Sequence, residues 1–316
     1  MTAAPRPASW KILLAFGVIY FVWGSTFLAI RIGVHEVPPL LLAAIRFFVS
    51  GLLLLAWMRF RRTPWPSFQQ WSAASLLGLL IFVIDYGCLF WAEQRVPSGI
   101  SAVILATIPV FVTFFAIVLL RTQRLTFRLA LALSIGLFGV AVLMNRSFSL
   151  GELPIDRRGA VALLIAALTW SFATIITRKL PLPDSKPMSA AAQMFSGGIQ
   201  LFVLAGILGE WRGFHAQAVS WNAWFALVYL IIAGSIVAFT AYVWLLHYES
   251  PTKVGTYAYV NPVVAVALGH FLGGESIGAR TLLGTGLVLV SVVTITTSPA
   301  KMPARANKPL EIEEVA

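Results

Sequence analysis

Ten stretches of the chain, 12–31, 39–58, 69–92, 97–120, 125–144, 159–178, 188–208, 222–246, 253–273 and 278–297, are each about twenty residues long or more and overwhelmingly apolar. A helix needs roughly 20 apolar residues to cross a hydrocarbon core about 30 Å thick, so each stretch is long enough to span a bilayer. The short alternating segments of a barrel are absent, which leaves helices to satisfy the backbone inside lipid. Only 11% of the residues are charged and the mean hydropathy is +0.86, against roughly 25% charged in a soluble domain. The apolar material covers nearly the whole length, so neither a signal peptide nor a single anchor accounts for it. The expectation is an all-α integral membrane protein with ten transmembrane helices and short connections.

The formal charge of +11 fits either nucleic-acid binding or basic residues flanking membrane spans. The cations lie between the apolar runs rather than along one helix face, which argues for the second and against a nucleic-acid partner. With the N-terminus cytoplasmic, the inner segments hold 15 Lys and Arg and the outer segments seven, so both termini are expected in the cytoplasm. The lone Cys88 rules out an intrachain disulfide and a Cys-based metal site. The tail 298–316 mixes Pro, Lys and Glu without periodicity and is expected to be a disordered cytoplasmic segment.

Two phrases recur. "FVWGSTFLAIR" (Phe21 to Arg31) closes the first span, and "LTWSFATIITR" (Leu168 to Arg178) closes the sixth, with Trp23 and Trp170 147 positions apart. "WAEQRVPSGISAVILATIPV" (Trp91 to Val110) is echoed by "WLLHYESPTKVGTYAYVNPV" (Trp244 to Val263), and Pro109 and Pro262 are offset by 153. The repeat is therefore five helices long, 12–144 and 159–297, and an odd number of helices inverts the second unit. Each mid-span proline frees the carbonyl four residues before it, Leu105 and Ala258. Such a carbonyl is tolerated in a membrane only where protein, water or ligand meets it, and matched broken helices in inverted halves point to a transporter's central site. Taken singly, either proline could be a packing kink.

With these residues on the page, the chain resembles the EamA family of the drug/metabolite transporter superfamily. The resemblance rests on W-G-S-T-F in the first span, Arg46 in the second, the I-P-V and N-P-V prolines, and "GGESIG" (Gly273 to Gly278) before a Gly-bearing last helix. It implies a bacterial inner-membrane export carrier for amino acids or similar small metabolites, with a central cavity between the halves. One departure is visible: the acid typical of the loop before the fifth and tenth helices is Glu275 in the second half and Gln123 in the first.

Arg46 and Asp85 are read as the ionisable residues best buried in spans. Each sits seven positions from the outer end of its helix, about 10 Å deep. Sequential antiparallel helices at equal depth predict that the two pair or share a polar pocket, offsetting a cost of roughly 2.5–3.5 kcal/mol for a lone charge. Asp85 is then a proton or substrate-ammonium site, or one half of a static structural pair. Trp23, Thr26, Tyr86, Trp170, Tyr257, Asn261 and the two prolines Pro109 and Pro262 complete the candidate substrate site, with Thr174 and Tyr242 beside it. Aromatic faces with a few hydroxyls and amides suit a small amphipathic solute such as an amino acid. Trp91, Trp221, Trp224 and Trp244 read as interface anchors, His247 and His270 as structural, and Gly269 with Gly273 as a close-packing motif.

No H-E-x-x-H or Walker A sequence is present, and no nucleotide-binding domain, metal or cofactor is expected. The reading is a secondary transporter rather than an enzyme, for which a monomer suffices. A lipophilic drug or cation exporter is the alternative, and a membrane-embedded enzyme or lipid-handling protein the second. A cation exporter would leave its buried acid without a neighbouring Arg.

Overall fold

A computed structural model describes residues 7–119, 126–144, 155–177, 179–212, 214–249, 254–255 and 257–296. They form ten helical spans and, among the described residues, no strand. These are α1 (Ser9–Val34), α2 (Pro39–Phe60), α3 (Phe68–Glu93), α4 (Ser98–Leu105, then Ile108–Val118), α5 (Phe127–Met144), α6 (Arg157–Thr177) and α7 (Lys186–Ile207). Then come α8 (Trp221–Tyr229, Leu230–Val237 and Ala238–Tyr248), α9 (Tyr257–Phe271) and α10 (Ala279–Thr296). Seven are long and apolar enough to cross a membrane; the apolar parts of α5, α9 and α10 are shorter in the described residues. The tail 298–316, Arg178 and Gln123 lie outside the described residues, as does the side chain of His247.

Local chemistry sets the helix starts. Pro39 opens α2, where a missing N–H costs nothing. Ser67 and Gln70 form a reciprocal capping box at α3, while Ser185 and Ser220 cap α7 and α8 by accepting from Met188 N and Ala223 N. Large apolar side chains such as Phe21, Leu53, Val203 and Phe225 face outward, the arrangement lipid favours and water does not.

The packing obeys an exchange of the two units. Helices α2 and α7 cross each other, as do α5 and α10 and α4 and α9. The other main contacts come in mates: α1 on α9 with α6 on α4, α1 on α8 with α6 on α3, and α2 on α8 with α7 on α3. Glycines mark two of the crossings. A Cβ at Gly51 would lie 2.6 Å from Phe195 Cα, and one at Gly198 would lie 2.6 Å from Phe48 Cα. A Cβ at Gly139 would stand 3.1 Å from the Gly284 carbonyl oxygen, and one at Gly284 3.1 Å from that of Gly139. Such reciprocity requires a pseudo-twofold between the units, and five helices per unit make it an inversion.

The units share one feature that the sequence does not announce. Both α3 and α8 contain a π-helical stretch, Gly78–Tyr86 and Leu230–Val237. A π turn inserts a residue and rotates everything beyond it about the helix axis. Asp85 and Tyr86 lie at the end of the first stretch.

Candidate functional site

A cavity of about 60 Å³, room for a few waters, lies between the units. Eight of the nine residues expected at the substrate site line it: Trp23 and Thr26 from α1, Asp85 and Tyr86 from α3, Trp170 from α6, and Tyr257, Asn261 and Pro262 from α9. Pro109 does not. The helix there is broken outright, with Ala106 and Thr107 separating the halves of α4, and Pro109 starts the second half. Leu105, Ala106 and Ile108 line the cavity in its place. Helix α9 instead runs through Pro262, with Ala258 exposed to the cavity four residues before it.

Trp23 and Trp170, mates in the repeat, meet edge to face at 6.0 Å. Tyr242 and Tyr257 stand 5.1 and 5.2 Å from the Trp23 ring. The cluster forms a floor between this cavity and a larger vestibule of about 310 Å³ lined by α3, α6, α7 and α8, including Trp170, Thr174, Gln193, Phe239, Tyr242 and Val243. Thr177 and Lys186 place the vestibule toward the side of the bundle that holds the start of α1.

Asp85 is 3% exposed and makes no hydrogen bond or ion pair among the described residues. The expected Arg46–Asp85 pair is not formed. Arg46, 1% exposed, turns away: its Nε donates to Ser235 Oγ at 2.8 Å. Its guanidinium lies 4.7, 5.1 and 5.9 Å from the rings of Phe47, Tyr86 and Phe90, a cation–π enclosure of the kind that stabilises a desolvated guanidinium. Residue counting along two helices leaves rotation about the helix axis undetermined, and it is rotation that separates Arg46 from Asp85.

Arg46 also occupies a telling position. Under the 147 offset of Trp23 and Trp170, its mate is Gln193; under the 153 offset of the Trp91 phrase, Tyr86, Leu89 and Phe90 are mates of Phe239, Tyr242 and Val243. The open vestibule therefore has its repeat counterpart at the Arg46 enclosure, which is filled. On that closed side two carboxylates tie loops together. Glu36 accepts from Ser220 N and Oγ at 2.5 and 2.6 Å, and these bonds hold its carboxyl below the usual glutamate range. Glu210 accepts from Leu41 N at 2.9 Å, and partial burial pushes its carboxyl up.

Glu275 has a structural task. It accepts from Ser98 N (2.7 Å), Ser98 Oγ (2.7 Å) and Gly99 N (3.1 Å), an anion on the N-terminus of α4. Arg31, the arginine of the opening phrase, pairs with it at 3.3 Å and donates to the Val96 carbonyl at 2.7 Å. A Cβ at Gly269 would stand 2.9 Å from the Glu275 carboxyl carbon, so this glycine makes room for the carboxylate. His270 Nδ1 lies 2.9 Å from the Glu275 carbonyl oxygen. Glu93, fully buried at the end of α3 beside Ser101, was missed. Its place in the polar run "WAEQRVPSG" resembles a loop, and only burial of Ala92 and Val96 around it distinguishes the two.

A bundle of apolar helices in two exchanged units, around a mostly apolar cavity that holds the carboxyl of Asp85, is the architecture of an integral membrane protein. The EamA-like transporter family matches this chain twice, over residues 9–145 and 157–297, and the chain belongs to that family. It is 36% identical over 300 residues to an uncharacterized inner membrane transporter, YedA, of Escherichia coli K12, covering 93% of this chain and 94% of YedA. It is 24% identical to a probable amino-acid metabolite efflux pump of Salmonella typhimurium, over 87% of this chain and 91% of the pump. A crystal structure superposes with a TM-score of 0.63 at 21% identity, over 93% of this chain and 99% of the other, which shows the fold alone.

Proposed function

We propose that the chain is a secondary exporter of amino acids or related amine-bearing metabolites, working by alternating access through the cavity between its halves. The observation that carries this is the mismatch between mates: the vestibule beside Gln193 is open while its counterpart around Arg46 is filled. Two units of one architecture in two different states can interchange them, which exposes the Trp23–Trp170 floor first to one side and then to the other. The excess of Lys and Arg on the N-terminal side orients both termini to the cytoplasm. The open vestibule then faces the cytoplasm, the side from which an exporter loads. The name of the YedA relative favours the inner membrane of a bacterium, and that of the Salmonella pump favours an amino-acid-derived solute.

A lipophilic-cation exporter is the second reading, and Asp85 standing in the cavity without an arginine partner favours it. Counterflow in proteoliposomes, screening labelled amino acids and amines against nucleobases and cationic dyes, tests the transporter reading. Accumulation of at least one solute against preloaded unlabelled solute is expected. Protein-free flux for the whole panel contradicts it.

A further inference from the structure

Resting on the transporter reading and narrowing it, we propose that the central cavity selects solutes carrying one amine cation and no free carboxylate, with Asp85 as the counter-charge. A zwitterion is best met by two opposite charges, and the cavity lining provides one. Its walls include the Asp85 carboxyl and no Lys, Arg or His. The nearest guanidinium, on Arg46, is turned to Ser235 behind Tyr86.

Most neutral donors that could receive a carboxylate are committed elsewhere, and the hydroxyls of Tyr86 and Tyr257 are the ones left on the lining. The Trp23 indole N–H donates to the Gly234 carbonyl at 3.2 Å, and the Thr26 hydroxyl to the Trp23 carbonyl at 2.7 Å. The Asn261 amide nitrogen, oriented to meet acceptors, donates to the Tyr20 and Tyr257 carbonyls at 2.9 and 3.3 Å. What remains on the lining is a carboxylate with free acceptor capacity, the hydroxyls of Tyr86 and Tyr257, and the aromatic rings of Trp23, Trp170, Tyr86 and Tyr257, whose faces are electron-rich. That set attracts a desolvated cation. It is a poor match for an anion, because a substrate carboxylate would meet no fixed positive charge on the lining and only phenolic hydroxyls beside Asp85.

Isothermal titration calorimetry on the full chain in lipid nanodiscs at neutral pH separates the cases with three solutes of one shape. Isobutylamine has the amine alone, valine adds a carboxylate, and 3-methylbutanoate has only the carboxylate. Isobutylamine is expected to bind at least about tenfold tighter than valine, with 3-methylbutanoate silent. Asp85→Asn should weaken the amine by about tenfold or more, and Asp85→Glu should restore part of the loss, which a folding defect would not. Valine binding as tightly as the amine, an amine that does not bind, or undiminished amine binding by a folded Asp85→Asn protein each overturns the inference. Valine binding with valine counterflow would overturn it while leaving the transporter intact; absence of any counterflow would remove the transporter reading itself.

Discussion

Phe48 and Phe195 stack with ring centroids 5.4 Å apart and planes inclined by 27°, and each backbone closes on the glycine three residues beyond the other. The two phenylalanines are separated by the same 147 positions as Trp23 and Trp170, so the stack sits on the axis that exchanges the halves. A β-carbon at either glycine would enter its partner's backbone rather than a side chain that could rotate away. Gly51→Val and Gly198→Val should each destabilise the protein, by at least the 1–3 kcal/mol of ordinary overpacking, or about that. A fall in thermal midpoint for both variants checks this, and one variant melting like the parent would show that the crossing is looser than its mate.

Arg46 fills the position whose mate is the open vestibule. Replacing it by the residue found at that mate, Arg46→Gln, removes the charge that Phe47, Tyr86 and Phe90 enclose and the bond to Ser235. The closed side should loosen. With the native thiol removed by Cys88→Ser, a cysteine placed at Leu89 should react with a polar maleimide several-fold faster in the Arg46→Gln background. Equal rates would mean that Arg46 is inert filling.

The closed side should also respond to acid. Ser220 holds the Glu36 carboxyl below the usual glutamate range, so the clasp is complete at pH values above that of the unfolded group. It is lost as pH falls through the lowered folded value. Glu210, pushed up by burial, has the opposite sign: its contribution improves as pH falls and it gains its proton. Opening of the closed side should therefore fall as pH drops through the raised Glu210 range and rise again below the usual glutamate range, and Glu36→Gln should flatten that final rise. The maleimide rate at Leu89 as a function of pH reads both, and a profile unchanged by Glu36→Gln would remove the clasp from the account.

Glu275 joins the start of α4 to Arg31 of α1 through charge-assisted bonds. Glu275→Gln keeps the shape and drops the charge, and about 1–3 kcal/mol of stability should go with it. The Gly269→Ala protein should lose stability as well, since its methyl group would press on the same carboxyl. Melting of the two variants and their combination should show less than additive losses; simple additivity would place the two residues in separate networks.

What the sequence disclosed was periodic or repeated. Trp23 and Trp170 identified the halves because a duplicated unit keeps its buried aromatics at one spacing. The repeat also paired Pro109 with Pro262, whereas Asp85 stood out as a charge inside a span, Tyr86 as its neighbour, and Tyr257 with Asn261 by their helical spacing. The π-helical stretches were invisible, since a shift from i→i+4 to i→i+5 bonding depends on packing, against α6 and α7 for the stretch in α3 and against α1 and α2 for that in α8, and leaves no composition signal. That shift also decides where Asp85 points. The direction of Arg46 was equally hidden, because depth follows from counting residues whereas rotation follows from which neighbour supplies Ser235 and three rings. Glu93 escaped because a buried polar run at a helix end reads like a surface loop.

Alternating exchange of the halves is tested most directly at two mates, Val243 in the open vestibule and Phe90 in the filled counterpart. Single cysteines at these positions, in the Cys88→Ser protein reconstituted in nanodiscs, are labelled with a polar maleimide with and without a solute found to be transported. The account predicts that the solute shifts the two rates in opposite directions, Phe90 rising as Val243 falls or the reverse. Rates that move together, or that ignore the solute at both positions, would contradict it.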